Sequence, residues 1–331
     1  MVTIIGVSGK DCGDNEGSWA IGLVYGKDPF KLFAPSLGHN DSFPCTRNPI
    51  FDCNFVTDVD AAFVADPFMF MPNGTYGNWY AFFEVKNTDG SLRLRHGQIG
   101  AAVSEDQGHT WKYLGIVLKM NFHLAYPNVF QHEGQIYMIS DAWSHLQMYR
   151  AVEFPTKWEK FKDVHKDHYI DPSIVQWQGT WWMFANVEQG QHFHLHILFA
   201  DSPLGPWTGH PNNCMIEGYK DGEITGHKCL GGAHVKRHHK TGPLRRGQVG
   251  IRSGGRPFVY NNKLYRIVQH SRHVYGDDLD MYEVRRALTL TAVFVLVSMY
   301  SLLCVCKLHC VHTAGSLLTH CCLRLSIYLR W

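Results

Sequence analysis

Two aspartates stand directly before proline at the head of apolar runs, in Asp66-Pro67-Phe68-Met69-Phe70 and Asp171-Pro172-Ser173-Ile174-Val175. Tyr126 before Pro127 and Arg256 before Pro257 occupy the same slot in two further runs. Brought together, two carboxylates, a phenol and a guanidinium would suit acid–base chemistry or the binding of a polyhydroxylated ligand. The plainer reading of Asp66 and Asp171 is a strand-start carboxylate that accepts backbone N–H bonds at an Asp-Pro turn. Arg256 either clamps a carboxylate or phosphate with its guanidinium fork or pairs with Asp66 or Asp171 inside the protein. Asp141, Glu217 and Glu223 are further carboxylates to consider. His196 alternates with His192 and His194, so on a strand the three face one way, about 6–7 Å apart. That spacing lacks the turn or helical geometry of most zinc motifs, so the reading is a channel-facing or exposed histidine ladder, with no metal and no other cofactor.

The elements that must position these residues come from a repeat. Each copy reads any residue, Pro, any residue, two apolar residues, a turn, then an aromatic strand such as Trp79-Tyr80-Ala81-Phe82-Phe83 or Trp181-Trp182-Met183-Phe184. Proline is tolerated at the first residue of a strand, and the polar or glycine-containing gap closes a hairpin. Most copies continue into a second pair of strands, giving four strands per unit, which is propeller-blade organisation. Ser104-Glu105-Asp106-Gln107-Gly108-His109-Thr110-Trp111 has the form of an Asp-box turn, so Asp106 is expected to tie a hairpin rather than to react. The interval from Asp171 to Arg256 is the longest, and residues 217–255 are the expected insertion. Trp19 to Tyr25 and the segment around Asn48-Pro49-Ile50-Phe51 are expected to supply the remaining blade, joined by Met281-Tyr282-Glu283-Val284. The fold class is therefore all-β, a five-bladed β-propeller over residues 18–286. In such a ring Asp66, Tyr126, Asp171 and Arg256 converge at one mouth of the central channel.

Composition agrees with one large globular domain: 45% hydrophobic, 18% charged, net charge +2, with 10 Trp, 15 Tyr and 19 Phe. The near-neutral balance excludes a nucleic-acid-coating protein, and aromatic residues suit both pleated sheets and sugar faces. Cys45 with Cys53 and Cys214 with Cys229 are candidate loop-closing disulfides of an oxidising lumen. Asn40-Asp41-Ser42 and Asn73-Gly74-Thr75 are N-glycosylation sequons. His234-Val235-Lys236-Arg237-His238-His239-Lys240, with Arg245, Arg246 and Arg252, is a basic run, either a solvated loop or a surface for anionic lipid or a phosphorylated inositol headgroup. Residues 1–17 lack the pattern of a signal peptide and read as a disordered or partial segment.

Trp19 to Gly26, Phe63 to Phe68, Phe82-Phe83-Glu84-Val85, Phe122 to Pro127, Leu204-Gly205-Pro206-Trp207 and Gly255-Arg256-Pro257 together resemble the N-terminal domain of glucosamine inositolphosphorylceramide transferases. That domain is a five-bladed propeller similar to glycoside hydrolase family 43. By this resemblance Asp66 maps to a general base and Asp171 to the residue that orients it, whereas the acid has no clean counterpart and Glu217 is the nominee. An inverting hydrolase would hold its two working carboxyls about 6.5–9.5 Å apart. Tyr126, Asp141, Arg256 and His196 are the expected ligand contacts around a glycan or glycolipid headgroup. The resemblance also implies a separate transferase domain that carries sugar transfer, and a Golgi or other secretory-pathway membrane with the propeller in the lumen.

Residues 287–331 form an apolar, Cys-rich tail in which 287–306 carries no charge and is long enough for a transmembrane helix; a shifted reading frame would explain the same abrupt change. Three functions follow: a glycan-recognising accessory module, an inverting glycosidase, or a scaffold propeller whose channel is plugged.

Overall fold

The computed structural model describes residues 2–8, 12–13, 17–33, 48–88, 96–142, 146–165, 167–189, 192–211, 213, 216–217, 248–271, 278–285 and 295–301. Five antiparallel sheets follow one another along the chain. The first contains β1 (Val2–Ser8), β2 (Trp19–Asp28) and β3 (Lys31–Phe33). The second contains β4 (Ala61–Phe70), β5 (Trp79–Asn87), β6 (Gly97–Ser104) and β7 (Lys112–Leu118), and the third β8 (Leu124–His132), β9 (Gln135–Ala142), β10 (Leu146–Glu153) and β11 (Lys157–His165). The fourth is β12 (Ile170–Trp177), β13 (Thr180–Gln189), β14 (His192–Ala200) and β15 (Thr208–Gly209), with β16 (Ile216–Glu217) also on β14. In the fifth, β17 (Gln248–Ser253) and β18 (Phe258–Tyr260) both pair with β19 (Lys263–Ser271), followed by β20 (Asp278–Arg285) and β21 (Val295–Ser301).

The hairpins form where the repeat expects them. Glu133-Gly134, Gln178-Gly179 and Asn261-Asn262 each have positive φ at both positions, the two-residue turn whose twist matches flanking strands. They close the pairs His132↔Gln135, Trp177↔Thr180 and Tyr260↔Lys263. The Asp box is likewise a turn brace. Asp106 accepts from Ser104 Oγ at 2.8 Å, from Thr110 N at 2.8 Å and from Thr110 Oγ1 at 2.6 Å, while Gly108 N donates to Ser104 Oγ at 2.7 Å. Burial would raise the Asp106 pKa, but these donors outweigh it and bring it down to about 2.

Ring closure is written in the packing. Apolar side chains join the first and second sheets (Ile21 and Leu23 with Val64 and Met69), the second and third (Phe82 and Ile99 with Val129 and Met138), and the third and fourth (Ile139 and Met148 with Ile174 and Met183). Phe184 and Leu195 then meet Leu264 and Val284, and Ile267 and Met281 meet Ala20 and Val24 of the first sheet. Five sheets joined by five interfaces make a closed five-bladed ring.

Several details depart from the sequence reading. Met281 to Val284 lie in β20 of the fifth sheet, and of these Met281 reaches the first by side-chain packing while none joins its strands. Asn48 and Phe51 do attach to the first sheet, through Asn48 bonds to the Leu23 backbone at 2.7 Å and an Ile21↔Phe51 bridge. That attachment carries Cys53 to Cys12, with Cα atoms 5.9 Å apart, so Cys53 bonds Cys12 and not Cys45. Cys45, Cys214, Cys229, Glu223 and the basic run from His234 to Arg246 lie outside the described residues. Upstream of residue 18, β1 extends the first sheet. Within 287–306, Val295–Ser301 forms strand β21 along β20. Among the described residues no helix is long and apolar enough to cross a membrane.

Candidate functional site

Three inner strands share one irregularity. Register shifts interrupt β4 between Ala65 and Phe68, β8 between Ala125 and Asn128, and β12 between Ile170 and Ser173. The extra residue is in each case the one before proline, and it takes a left-handed backbone: φ is 47° at Asp66, 55° at Tyr126 and 51° at Asp171. Proline disfavours the right-handed helical region for its predecessor, and a β-bulge supplies the room for the alternative. A left-handed non-glycine residue costs about 1–3 kcal/mol, and such strain gathers at functional sites. The bulges re-aim three side chains toward the shared axis.

Their contacts show the convergence. The Asp66 carboxylate accepts the backbone N–H of Tyr126 and lies within the electrostatic reach of Asp171 and Arg252. The Tyr126 hydroxyl meets Ser173 Oγ at 2.8 Å, and Ser173 Oγ donates to the Gly255 carbonyl at 3.2 Å. Arg252 grips Asp171 with two parallel bonds, Nε to Oδ2 at 2.6 Å and a terminal nitrogen to Oδ1 at 2.7 Å. Asp171 is only 2% exposed, so this fork is what holds its charge inside the protein. Burial, then the repulsion of Asp171, pushes the Asp66 pKa up to about 7; Arg252 and the Tyr126 amide pull the other way. Burial followed by the Asp171 charge also raises the Tyr126 phenol above the ordinary tyrosine range.

The carboxylate-pairing fork considered for Arg256 is thus supplied by Arg252. Arg256 donates to the Val129 carbonyl at 2.5 Å and to Asn128 Oδ1 at 3.3 Å, with its guanidinium 5.6 Å from the Phe68 ring centre. Phe68 packs edge-on against Tyr126 at 4.9 Å. Phe68, Tyr126 and Arg256 therefore pack on one another beside the carboxylates. His196 is elsewhere, against Tyr169 at 5.7 Å, a ring that His165 also meets at 5.1 Å. Burial lowers its pKa to about 4, so it is neutral, and no described contact joins it to Asp66, Asp171 or Arg252. Glu217 sits across from His194 in the β16–β14 pair. Among the described residues no cluster of His, Cys, Asp and Glu could hold a metal ion.

Strand register reveals a second ring of polar residues. Glu84 stands opposite Ala65, Asp141 opposite Ala125, Asn186 opposite Ile170 and Gln269 opposite Arg252. Two residues before each come Phe82, Ile139, Phe184 and Ile267, which fill successive interblade interfaces, so each polar group caps an apolar junction beside the bulges. Glu84, Asp141 and Asn186 are buried. Sequence reasoning singled out Asp141 alone; the signal for the others is an acid or amide four residues after the aromatic Tyr80, Tyr137, Trp182 and Tyr265.

The closed ring has counterparts of known structure. A GH43 protein from Bacillus licheniformis superposes with a TM-score of 0.54 at 13% identity, over 84% of this chain and 50% of that one. An exo-1,5-alpha-L-arabinanase from a bovine ruminal metagenomic library gives 0.52 at 14% identity, over 90% and 94%. At these identities the likeness is one of fold. Among curated sequences, glucosamine inositolphosphorylceramide transferase 1 of Oryza sativa subsp. indica is 34% identical over 286 residues, covering 82% of this chain and 34% of the relative. Its Arabidopsis thaliana namesake is 35% identical over 276 residues, covering 80% and 32%. This chain thus spans about a third of the length of those relatives. Residues 12–235 and 228–297 match the family described as glucosamine inositolphosphorylceramide transferase 1, N-terminal, and the chain belongs to that family.

Proposed function

We propose that this propeller recognises the carbohydrate headgroup of a glycolipid in the course of sphingolipid glycosylation, with the sugar seated at the mouth lined by Asp66, Asp171 and Arg252. The observation that carries the reading is the convergence of two carboxylates, each on a strained, proline-locked bulge of its own blade, with an arginine from a third blade. Carboxylates and guanidinium groups held rigidly offer acceptors and donors to vicinal hydroxyls. The relatives' name supplies the class of headgroup. In this reading sugar transfer belongs to a separate transferase domain, and the propeller works in a secretory-pathway lumen, for which the Cys12–Cys53 disulfide is supporting chemistry.

The test is binding of the full chain to phosphatidylcholine vesicles that carry glycosylated inositolphosphorylceramide, against vesicles without it. Saturable, glycan-dependent binding that falls at least about tenfold in Asp66→Asn is expected, the loss of a hydrogen bond to a charged group. Equal retention on both vesicles overturns the proposal. Hydrolysis by inversion is a second reading, favoured by the Asp66 pKa near 7, a value suited to a general base. It requires that the protein release aryl leaving groups from aryl glycosides and that Asp66→Asn abolish the release.

A further inference from the structure

At the junction of the second and third blades a polar cluster is built from three parts of the chain. Phe82, Glu84 and Lys86 of β5 share the face turned toward the third blade, apolar at Phe82 and polar beyond it. Lys86 pairs across the sheet with Gly97 at the start of β6, and His123 comes from the loop ahead of β8. The Gly97 N–H donates to His123 Nδ1 at 2.9 Å. Nδ1 is therefore the acceptor nitrogen, and in the neutral ring the proton sits on Nε2. The ring is kept neutral mainly by burial, with Lys86, His96 and Arg252 adding to it, and its pKa drops to about 3.

The His123 Nε2–H lies 3.7 Å from Glu84 Oε1. That is too long for a direct hydrogen bond. It is the base of a triangle whose apex, about 2.8 Å from both atoms, suits one hydroxyl oxygen that accepts from His123 and donates to Glu84. Gly97 makes the approach feasible: a Cβ there would lie 2.4 Å from the Leu124 carbonyl oxygen, 2.5 Å from Glu84 Oε1 and 2.8 Å from His123 Cε1. His123 keeps 23% of its side chain exposed; Glu84 stands opposite Ala65, the neighbour of Asp66, and His123 leads into the strand that carries Tyr126, so the two flank the bulges of the second and third blades.

We propose that Glu84 and His123 form a hydroxyl-reading pair of the mouth, the element that selects a neutral sugar by one of its hydroxyls, with Gly97 as the backbone piece that orients the imidazole. The inference rests on the carbohydrate-recognition reading above and adds to it the residues and the chemical class that set specificity. A carboxylate acceptor beside a neutral imidazole donor favours an uncharged hydroxyl and disfavours an anionic group at this point.

The closing experiment measures the full chain, Glu84→Gln and His123→Gln on vesicles carrying glycosylated inositolphosphorylceramide and on vesicles carrying the unglycosylated lipid, with thermal unfolding as the check of folding. Each variant is expected to lose about tenfold in affinity for the glycosylated vesicles and to bind the unglycosylated ones as the unaltered chain does. Variants that fold and bind the glycosylated lipid like the unaltered chain overturn the pair while the recognition reading stands; an unaltered chain that ignores the glycan overturns both. Histidine-selective nitrogen-15 spectra of the unaltered chain provide a readout free of folding effects. Saturation with the glycosylated headgroup should move an Nε2 resonance of a histidine that stays neutral to pH 5, and unmoved neutral-histidine signals during proven binding would refute the assignment.

Discussion

At the scale of single residues, the mouth is governed by how buried carboxylates are compensated. Arg252 is held in a fork by Asp171, whereas Asp66 has the Tyr126 amide and only the field of that arginine, and burial raises its pKa. Its folded pKa of about 7 lies above the unfolded value of about 3.9, so the native state holds a proton that the unfolded state releases. The stability this provides is complete below pH of about 4 and is lost as pH rises through about 7. Thermal unfolding followed from pH 4 to pH 8 should show a midpoint that falls over this interval and then levels. Asp66→Asn should match the unaltered protein at pH 4 and exceed it at pH 8 by about 5–10 °C, the midpoint change that a shift of about three pKa units gives in a domain of this size. Equal slopes for the two proteins would refute the burial of Asp66 charge.

At the scale of the element, the turn after β4 joins local backbone preference to cellular chemistry. Asn73 and Thr75 are exposed, and Gly74 takes φ of 75° with its N–H bonded to the Met71 carbonyl, so the sequon sits on an open turn with its side chain in solvent. Trp79 Nε1 donates to the Thr75 carbonyl at 2.9 Å and pins the turn without using the Asn73 side chain. Expression through a secretory lumen should add a glycan at Asn73. The measurement is a mobility shift reversed by endoglycosidase, one step of which disappears in Asn73→Gln while the unfolding temperature stays within about 1 °C. A protein that crosses the lumen with Asn73 bare would count against a lumenal propeller.

At the scale of the molecule, closure makes the first and fifth sheets as much a part of the core as the three between them. Leu279 of β20 is 1% exposed in the interface between the fifth and first blades, the junction that completes the ring. Leu279→Ala should cost about 2–5 kcal/mol, the range for a buried leucine in a packed core, and should leave one cooperative transition in urea. A cost under about 1 kcal/mol, or a separate early transition, would mean that the fifth blade hangs from the fourth without sealing against the first.

Much of this architecture is legible in the linear chain because its signals are local. Alternating apolar residues, X-Pro strand starts and two-residue turns act over a few neighbours, so the hairpins at Glu133-Gly134 and Gln178-Gly179 and the brace at Asp106 follow from residue type alone. Asp66, Tyr126 and Asp171 were readable for the same reason, each marked by its proline. What needed three dimensions were pairings between distant segments. Arg252 is hidden because the fifth blade widens its bulge, placing residues 254–257 against 266 and 267, and so shifts the useful arginine away from the proline that marks the other blades. The Cys12 partner of Cys53, the capping positions of Glu84 and Asn186, and the meeting of Gly97, Glu84 and His123 all depend on strand register and interblade packing. Those are summed over many weak contacts between residues far apart in sequence, and no short stretch of the chain encodes them.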